Sequence, residues 1–112
     1  PNRVTFVVAG DTVVGTLFLP ATYRPGQRLP VVLVDGPWTQ VKEQVGSRYG
    51  RALADAGLAA LALDHRGWGE SGGVRSWESG ARKVEDLAGA LDALARHDAV
   101  DPARIGVLGV CA

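Results

Sequence analysis

The chain contains one cysteine, Cys111, in the run Leu108-Gly109-Val110-Cys111-Ala112. A Gly-x-nucleophile-small pattern leaving an apolar stretch suits a tight turn that lifts a reactive side chain above the end of a strand. Small neighbours are needed there because the backbone is strained and a following helix packs close. The second glycine of the five-residue form would fall after Ala112. A lone cysteine behind a strand is also often a small core residue, so this run by itself leaves both readings open. If the thiol does react, the chemistry is acyl transfer: a thiolate attacks a carbonyl carbon and holds the acyl group until a second acceptor takes it.

Two further segments carry polar residues directly behind apolar runs. Asp35-Gly-Pro-Trp-Thr-Gln-Val-Lys-Glu43 follows Val31 to Val34, and Asp64-His-Arg-Gly-Trp-Gly-Glu-Ser-Gly72 follows Leu58 to Leu63. The second includes a literal G-x-G-x-x-G, at Gly67, Gly69 and Gly72. A dinucleotide site needs those glycines to open a helix directly and an acidic residue at the end of the next strand. Here Val74-Arg-Ser-Trp-Glu78 follows instead, and the downstream acidic residues fall within a helical pattern, so nucleotide binding is set aside. His65 sits inside the Asp-x-Arg-Gly turn, and His97 closes a helix where a cation offsets the helix dipole; neither is assigned as a general base. Asp64 and Arg66 read as turn-forming, loop-pinning residues. Trp68 and Trp77 fit either a pocket rim or packing over the loop.

The elements that would position these residues follow from hydrophobic periodicity. Val4 to Val8 and Thr12 to Leu19, with Gly10-Asp11 between the outer runs, predict a β-hairpin. Pro20 to Pro30 is a proline-rich surface loop. Val31 to Val34, Leu58 to Leu63 and Arg104 to Leu108 are short, continuous apolar runs expected of strands buried on both faces. Between them, Val41, Val45, Tyr49 and Leu53 recur at helical spacing up to Gly57, and Val84, Leu87, Leu91 and Leu94 do so up to His97. In the second helix Lys83, Glu85, Asp86 and Asp92 are placed on the other faces, and Asp101-Pro102 is expected to turn into the last strand. Strand, helix, strand, helix, strand with short connections gives an α/β fold of parallel strands and crossover helices behind the hairpin.

At 112 residues the chain is one domain or part of one, and no internal repeat marks a boundary. Twelve Lys and Arg balance twelve Asp and Glu, which argues against a nucleic-acid partner or an anionic membrane surface. No apolar run approaches the length of a membrane span. A single cysteine makes no internal disulfide, so the cytoplasm is the default location.

Taken together, three features resemble the α/β-hydrolase superfamily: Asp-x-Arg-Gly-x-Gly-x-Ser from Asp64, Val100-Asp-Pro-Ala-Arg-Ile-Gly106 before the last strand, and the Gly-x-nucleophile turn. Within it the chain resembles the dienelactone-hydrolase-like branch, in which cysteine can replace serine. The match covers Val4 to Ala112. The resemblance implies the N-terminal half of an α/β-hydrolase fold, residues 1–112 of a single domain ending at the nucleophile turn. It also implies Cys111 as nucleophile and an oxyanion hole from the backbone N–H groups of Ala112 and Trp38, with Gly36 behind Trp38. Asp35 stands where an acidic residue can tune the thiol or bind substrate, or simply caps the next turn.

The resemblance implies no cofactor and no metal, a small acyl substrate (an ester, lactone or thioester), and a histidine and acid supplied by a C-terminal half. In that fold the last strand here is central, so Ile105 to Leu108 should present an unpaired apolar edge. The C-terminal half is accordingly the expected partner, and a homodimer is compatible with the reading. An acyltransferase and a non-catalytic binding protein on the same fold are the alternatives.

Overall fold

The computed structural model describes residues 2–37 and 40–111. Strands β1 (Asn2–Val8) and β2 (Asp11–Phe18) form the expected antiparallel hairpin, turning through Ala9 and Gly10, both at positive φ. Then come β3 (Leu29–Asp35), α1 (Val45–Asp55), β4 (Ala59–Asp64), α2 (Gly80–Ala95) and β5 (Val100–Gly109). The sheet order is β1-β2-β4-β3-β5. β3 pairs in parallel with β4 and with β5, whereas β2 meets β4 antiparallel.

β4 is buried along its whole length, and its alternation separates two cores. Ala59, Leu61 and Leu63 join Val13, Leu17, Val31 and Leu33 beneath Ala90 and Leu94 of α2. Ala60 and Ala62 join Phe18 and Val34 on the other face, beneath Leu53 and Ala54 of α1. Such two-sided burial is why these strands are continuous apolar runs rather than alternating ones. β4 gives Leu61 and Leu63 to the α2 side and only alanines to the α1 side.

The readings of the two helices need correction. Val41 lies before α1, which begins at Val45, and the helix meets the sheet through Gly46, Ser47 and Gly50 rather than through Tyr49, which is exposed. A side chain at Gly50 would collide with the Phe18 ring, and one at Gly46 would crowd Ala62, so small residues let α1 approach closely. On α2, Val84 is exposed whereas Lys83 and Asp86 are buried, because the inward face runs Lys83, Asp86, Ala90, Leu94. Asp101 and Pro102 fall inside the bounds of β5, but pairing with β3 passes from Val100 directly to Ile105 and the Ala103 N–H closes on Asp101 Oδ1 at 3.0 Å, so the expected turn is there as a bulge. Among the described residues β5 pairs only with β3.

The core assignment yields a direct check. Leu61→Ala empties a fully buried site at the sheet centre and should lower the stability of the intact protein by about 2–5 kcal/mol in urea unfolding. Val84→Ala should change it by no more than about 0.5 kcal/mol, since that side chain faces solvent.

Candidate active site

The parallel strands β3, β4 and β5 end at Asp35, Asp64 and Gly109, all at one edge of the sheet. Open α/β sheets bind ligands at the carboxyl ends of their strands. Asp35 is the register partner of Gly109, and one residue further the Val110 N–H donates to the Asp35 carbonyl oxygen at 2.8 Å. The chain then turns at Cys111, which is exposed and has φ 54°. A non-glycine residue in the left-handed region costs about 1–3 kcal/mol and persists where its surroundings enforce it. Cys111 is thus a thiol on a strained turn at a strand end.

Beside this turn lies a buried charged network. His65 Nδ1 is 3.0 Å from Asp86 Oδ2, and its Nε2 is 2.8 Å from Asp35 Oδ1. Carboxylates only accept, so an imidazole held between two of them is best satisfied when both nitrogens carry protons. Burial alone would push the His65 imidazole down, but the hydrogen bonds to Asp35 and Asp86 outweigh it and hold it above its ordinary value. Both ring nitrogens are therefore committed. Asp86 accepts further from the Arg66 N–H at 3.0 Å and from Arg66 Nε at 2.5 Å, while Arg66 also reaches Glu85 at 2.6 Å. Burial would raise the Asp86 carboxyl, and the bonds from His65 and Arg66 instead keep it below the usual range. Lys83 Nζ stands 3.9 Å from Asp35 Oδ1 and 3.5 Å from the Gly36 carbonyl.

A second network orders the loops. Asp64, fully buried, accepts from the Lys42 N–H at 2.7 Å, Lys42 Nζ at 3.0 Å and the Glu70 N–H at 2.9 Å. Burial would lower the Lys42 ammonium, but hydrogen bonds to Glu43, Glu70 and Asp64 raise it above its ordinary range. Gly69, at φ +52°, is where the loop passes over Asp64, and any side chain there would run into the carboxylate. Of the G-x-G-x-x-G run, Gly69 thus serves close approach to the protein's own acid, whereas Gly67 lies against the Val74 carbonyl. The loop's N–H groups are spent internally as well: Gly67 on the Gly72 carbonyl, Gly72 on that of Thr12. The α2 helix starts only at Gly80.

Of the residues singled out from sequence, the structure brings Asp35, His65 and the Val110-Cys111 turn together at the ends of β3, β4 and β5. Asp64 and Arg66 pin loops, as their positions suggested. His97 lies apart from this cluster, its Nδ1 accepting from the Ala99 N–H at 3.1 Å. Trp38 and Ala112, the expected oxyanion donors, lie outside the described residues. Lys42, Lys83 and Asp86 were missed as members of the site. A signal existed for two of them: Lys83 and Asp86 stand at the positions that extend the buried Ala90-Leu94 face by helical spacing. Among the described residues no cluster of His, Cys, Asp and Glu is arranged to hold a metal ion, and no helix is long and apolar enough to cross a membrane.

A family model described as X-Pro dipeptidyl-peptidase (S15 family) matches residues 9–111. The chain belongs to this family. An uncharacterized Pseudomonas aeruginosa protein, PA2218, is 39% identical over 98% of the chain, which covers 30% of that relative. The crystal structure of PA2218 superposes with a TM-score of 0.87 over 95% of this chain and 33% of the other, at 38% identity. The polyketide transferase claH of Penicillium crustosum is 32% identical over 90% of the chain and 33% of its own length. The α/β hydrolase GrgF from Penicillium sp. sh18 superposes with a TM-score of 0.86 at 24% identity, over 96% of this chain and 36% of the other. The five strands and two helices are therefore part of an α/β-hydrolase fold, and the chain spans about a third of the length of these relatives and fold neighbours.

The charged network sets a pH dependence. Because His65 is raised above its ordinary 6.5, its contribution to stability is complete below that value and is lost as pH rises through the raised one. Asp86 is lowered from 3.8, so its contribution is complete above that value and is lost as pH falls through the lowered one. The urea midpoint of the intact protein should accordingly decline on the alkaline side of 6.5, and His65→Gln should flatten that limb. A wild-type midpoint constant from about pH 6 to about pH 9 would contradict the assignment.

Proposed function

We propose that the protein is a hydrolase of a small acyl compound, an ester, lactone or thioester, with Cys111 as its nucleophile. The observation that carries this reading is the thiol at φ 54°, on a turn tied to the end of β3 through the Val110 N–H. The Cys111 thiolate would attack the substrate carbonyl carbon and form a C–S bond, and the alcohol or thiol would leave as it takes up a proton. Water would then add to the acyl-enzyme and release the acid. The N–H groups of Trp38 and Ala112 are proposed to hold the oxyanion. Both nitrogens of His65 are engaged, so the general base is assigned to the C-terminal part of the same domain, of which residues 1–112 form the N-terminal part. Activity is expected only with that part present, in the cytoplasm, and a homodimer is compatible with it. The cysteine nucleophile is what favours the dienelactone-hydrolase-like branch as the model for the chemistry.

A second reading, transfer of the acyl group to an acceptor other than water, is favoured by the 32% identity to a polyketide transferase. The same acyl-enzyme serves both, and the acceptor decides.

In the intact protein, Cys111→Ala should lower kcat/KM for an activated ester or thioester by at least about a thousandfold, and the wild type should gain an acyl adduct on Cys111 by mass spectrometry. Full activity in the alanine variant would remove the nucleophile and leave a binding protein on a hydrolase fold as the better account. Asp35→Asn should alter the pH dependence of iodoacetamide labelling of Cys111; an unchanged profile would exclude a thiol-tuning role for Asp35.

A further inference from the structure

Asp35 is held at both ends. Its carboxylate takes His65 Nε2 at 2.8 Å, and its carbonyl takes the Val110 N–H at 2.8 Å. The first bond comes from the loop after β4 and the second from the turn after β5. We infer that His65 is a positioning residue for the Cys111 turn, acting through Asp35: it fixes the last residue of β3, and that residue's carbonyl fixes the residue before the thiol.

The groups facing His65 support a clamp rather than a loose contact. From α2, Asp86 Oδ2 takes Nδ1, and Asp86 is in turn gripped by the Arg66 N–H and Nε. From β3, Asp35 takes Nε2, with Lys83 Nζ of α2 as a second cation 3.9 Å from the same oxygen. The ring is mostly buried, with 11% of its side-chain surface exposed, and Asp35 and Asp86 are buried at 6% and 1%. A charge-assisted hydrogen bond between groups this dry is strong and directional. Loss of the His65 contact would remove the hydrogen bond that anchors the Asp35 carboxylate and leave it to the more distant Lys83 Nζ at 3.9 Å, loosening the end of β3. The Val110 N–H is the bond next to the strained φ of Cys111, so slack in Asp35 passes straight to the turn. The inference uses the proposed nucleophile only for its functional meaning; the positioning itself is measurable without turnover.

The two amide replacements of histidine separate the bonds. In His65→Gln the amide nitrogen stands near the Nε2 position and can still donate to Asp35, whereas in His65→Asn it stands near Nδ1 and can reach only Asp86. Amide hydrogen exchange in the intact protein would be followed at Val110 and, as a control, at Leu17 in the sheet interior. His65→Asn should speed exchange at Val110 by at least about tenfold with Leu17 unchanged, and His65→Gln should stay within about threefold of wild type. The iodoacetamide rate at Cys111 should change in the same order.

Wild-type exchange at Val110 in His65→Asn would overturn the inference, as would equal acceleration in both variants. If His65→Asn unfolds and Leu17 exchanges freely, Asp35→Ala decides, since it removes the carboxylate and keeps the carbonyl that takes the Val110 N–H. Val110 should then exchange at least about tenfold faster with Leu17 unchanged, and wild-type exchange at Val110 would overturn the inference. Failure of the nucleophile reading shows separately, as activity that survives Cys111→Ala.

Discussion

A carboxylate cut off from water must be given donors by the protein itself, and Asp64 and Asp86 are both completely buried. Left unpaired, each would cost several kcal/mol or take up a proton. Much of the structure at the strand ends can be understood as the supply of those donors. The loop after β3 brings the N–H and ammonium of Lys42 to Asp64, and the loop after β4 folds back to bring the N–H of Glu70. Ser71 then donates to the Asp64 carbonyl at 2.6 Å and accepts from the Val14 N–H at 2.8 Å, tying the loop to the hairpin. Asp86 does the corresponding work on the other side of the sheet, gathering His65 and Arg66 against α2. Rigid loops at a sheet edge are what a site for chemistry requires, since reacting groups must be held to within a fraction of an ångström.

The placement of reactive groups follows from the same arrangement. Three parallel strands end together, and the thiol, the Asp35 carboxylate and the His65 ring come from three different strand ends. No one segment of sequence contains the site. The turn at Cys111 leans on β3 through one main-chain bond, so its geometry is a property of the sheet and not of the Gly-x-Cys run alone.

Much of this was legible in the sequence, and the reasons differ by element. The hairpin, the order of strands and helices, and the parallel pairing follow from apolar runs and their periods, which report burial directly. The turn at Cys111 was legible from residue type and spacing. The inward face of α2 was misread because Lys83 and Asp86 are charged, and a pattern read by hydropathy assigns charge to solvent. Their burial depends on Asp35, His65 and Arg66, which meet them only in the folded sheet. The start of α1 was misread for the complementary reason: Gly46, Ser47 and Gly50 carry too little apolar surface to mark a buried face, yet they are what the sheet accommodates.

The close approach of α1 has a consequence for the charges above it. A methyl group at Gly46 would lie 3.1 Å from the Ala62 Cβ, closer than comfortable contact. The next residue, Ser47, holds the Lys42 carbonyl through its N–H at 2.8 Å and through its hydroxyl. The first turn of α1 and the Lys42 donor therefore move as one piece. Lifting that turn by a few tenths of an ångström would draw the ammonium and N–H away from Asp64, a carboxylate with no water to turn to. In this molecule the solvation of a buried ion is set by the thickness of a helix–sheet contact, and a glycine in the apolar layer acts as the spacer that sets it.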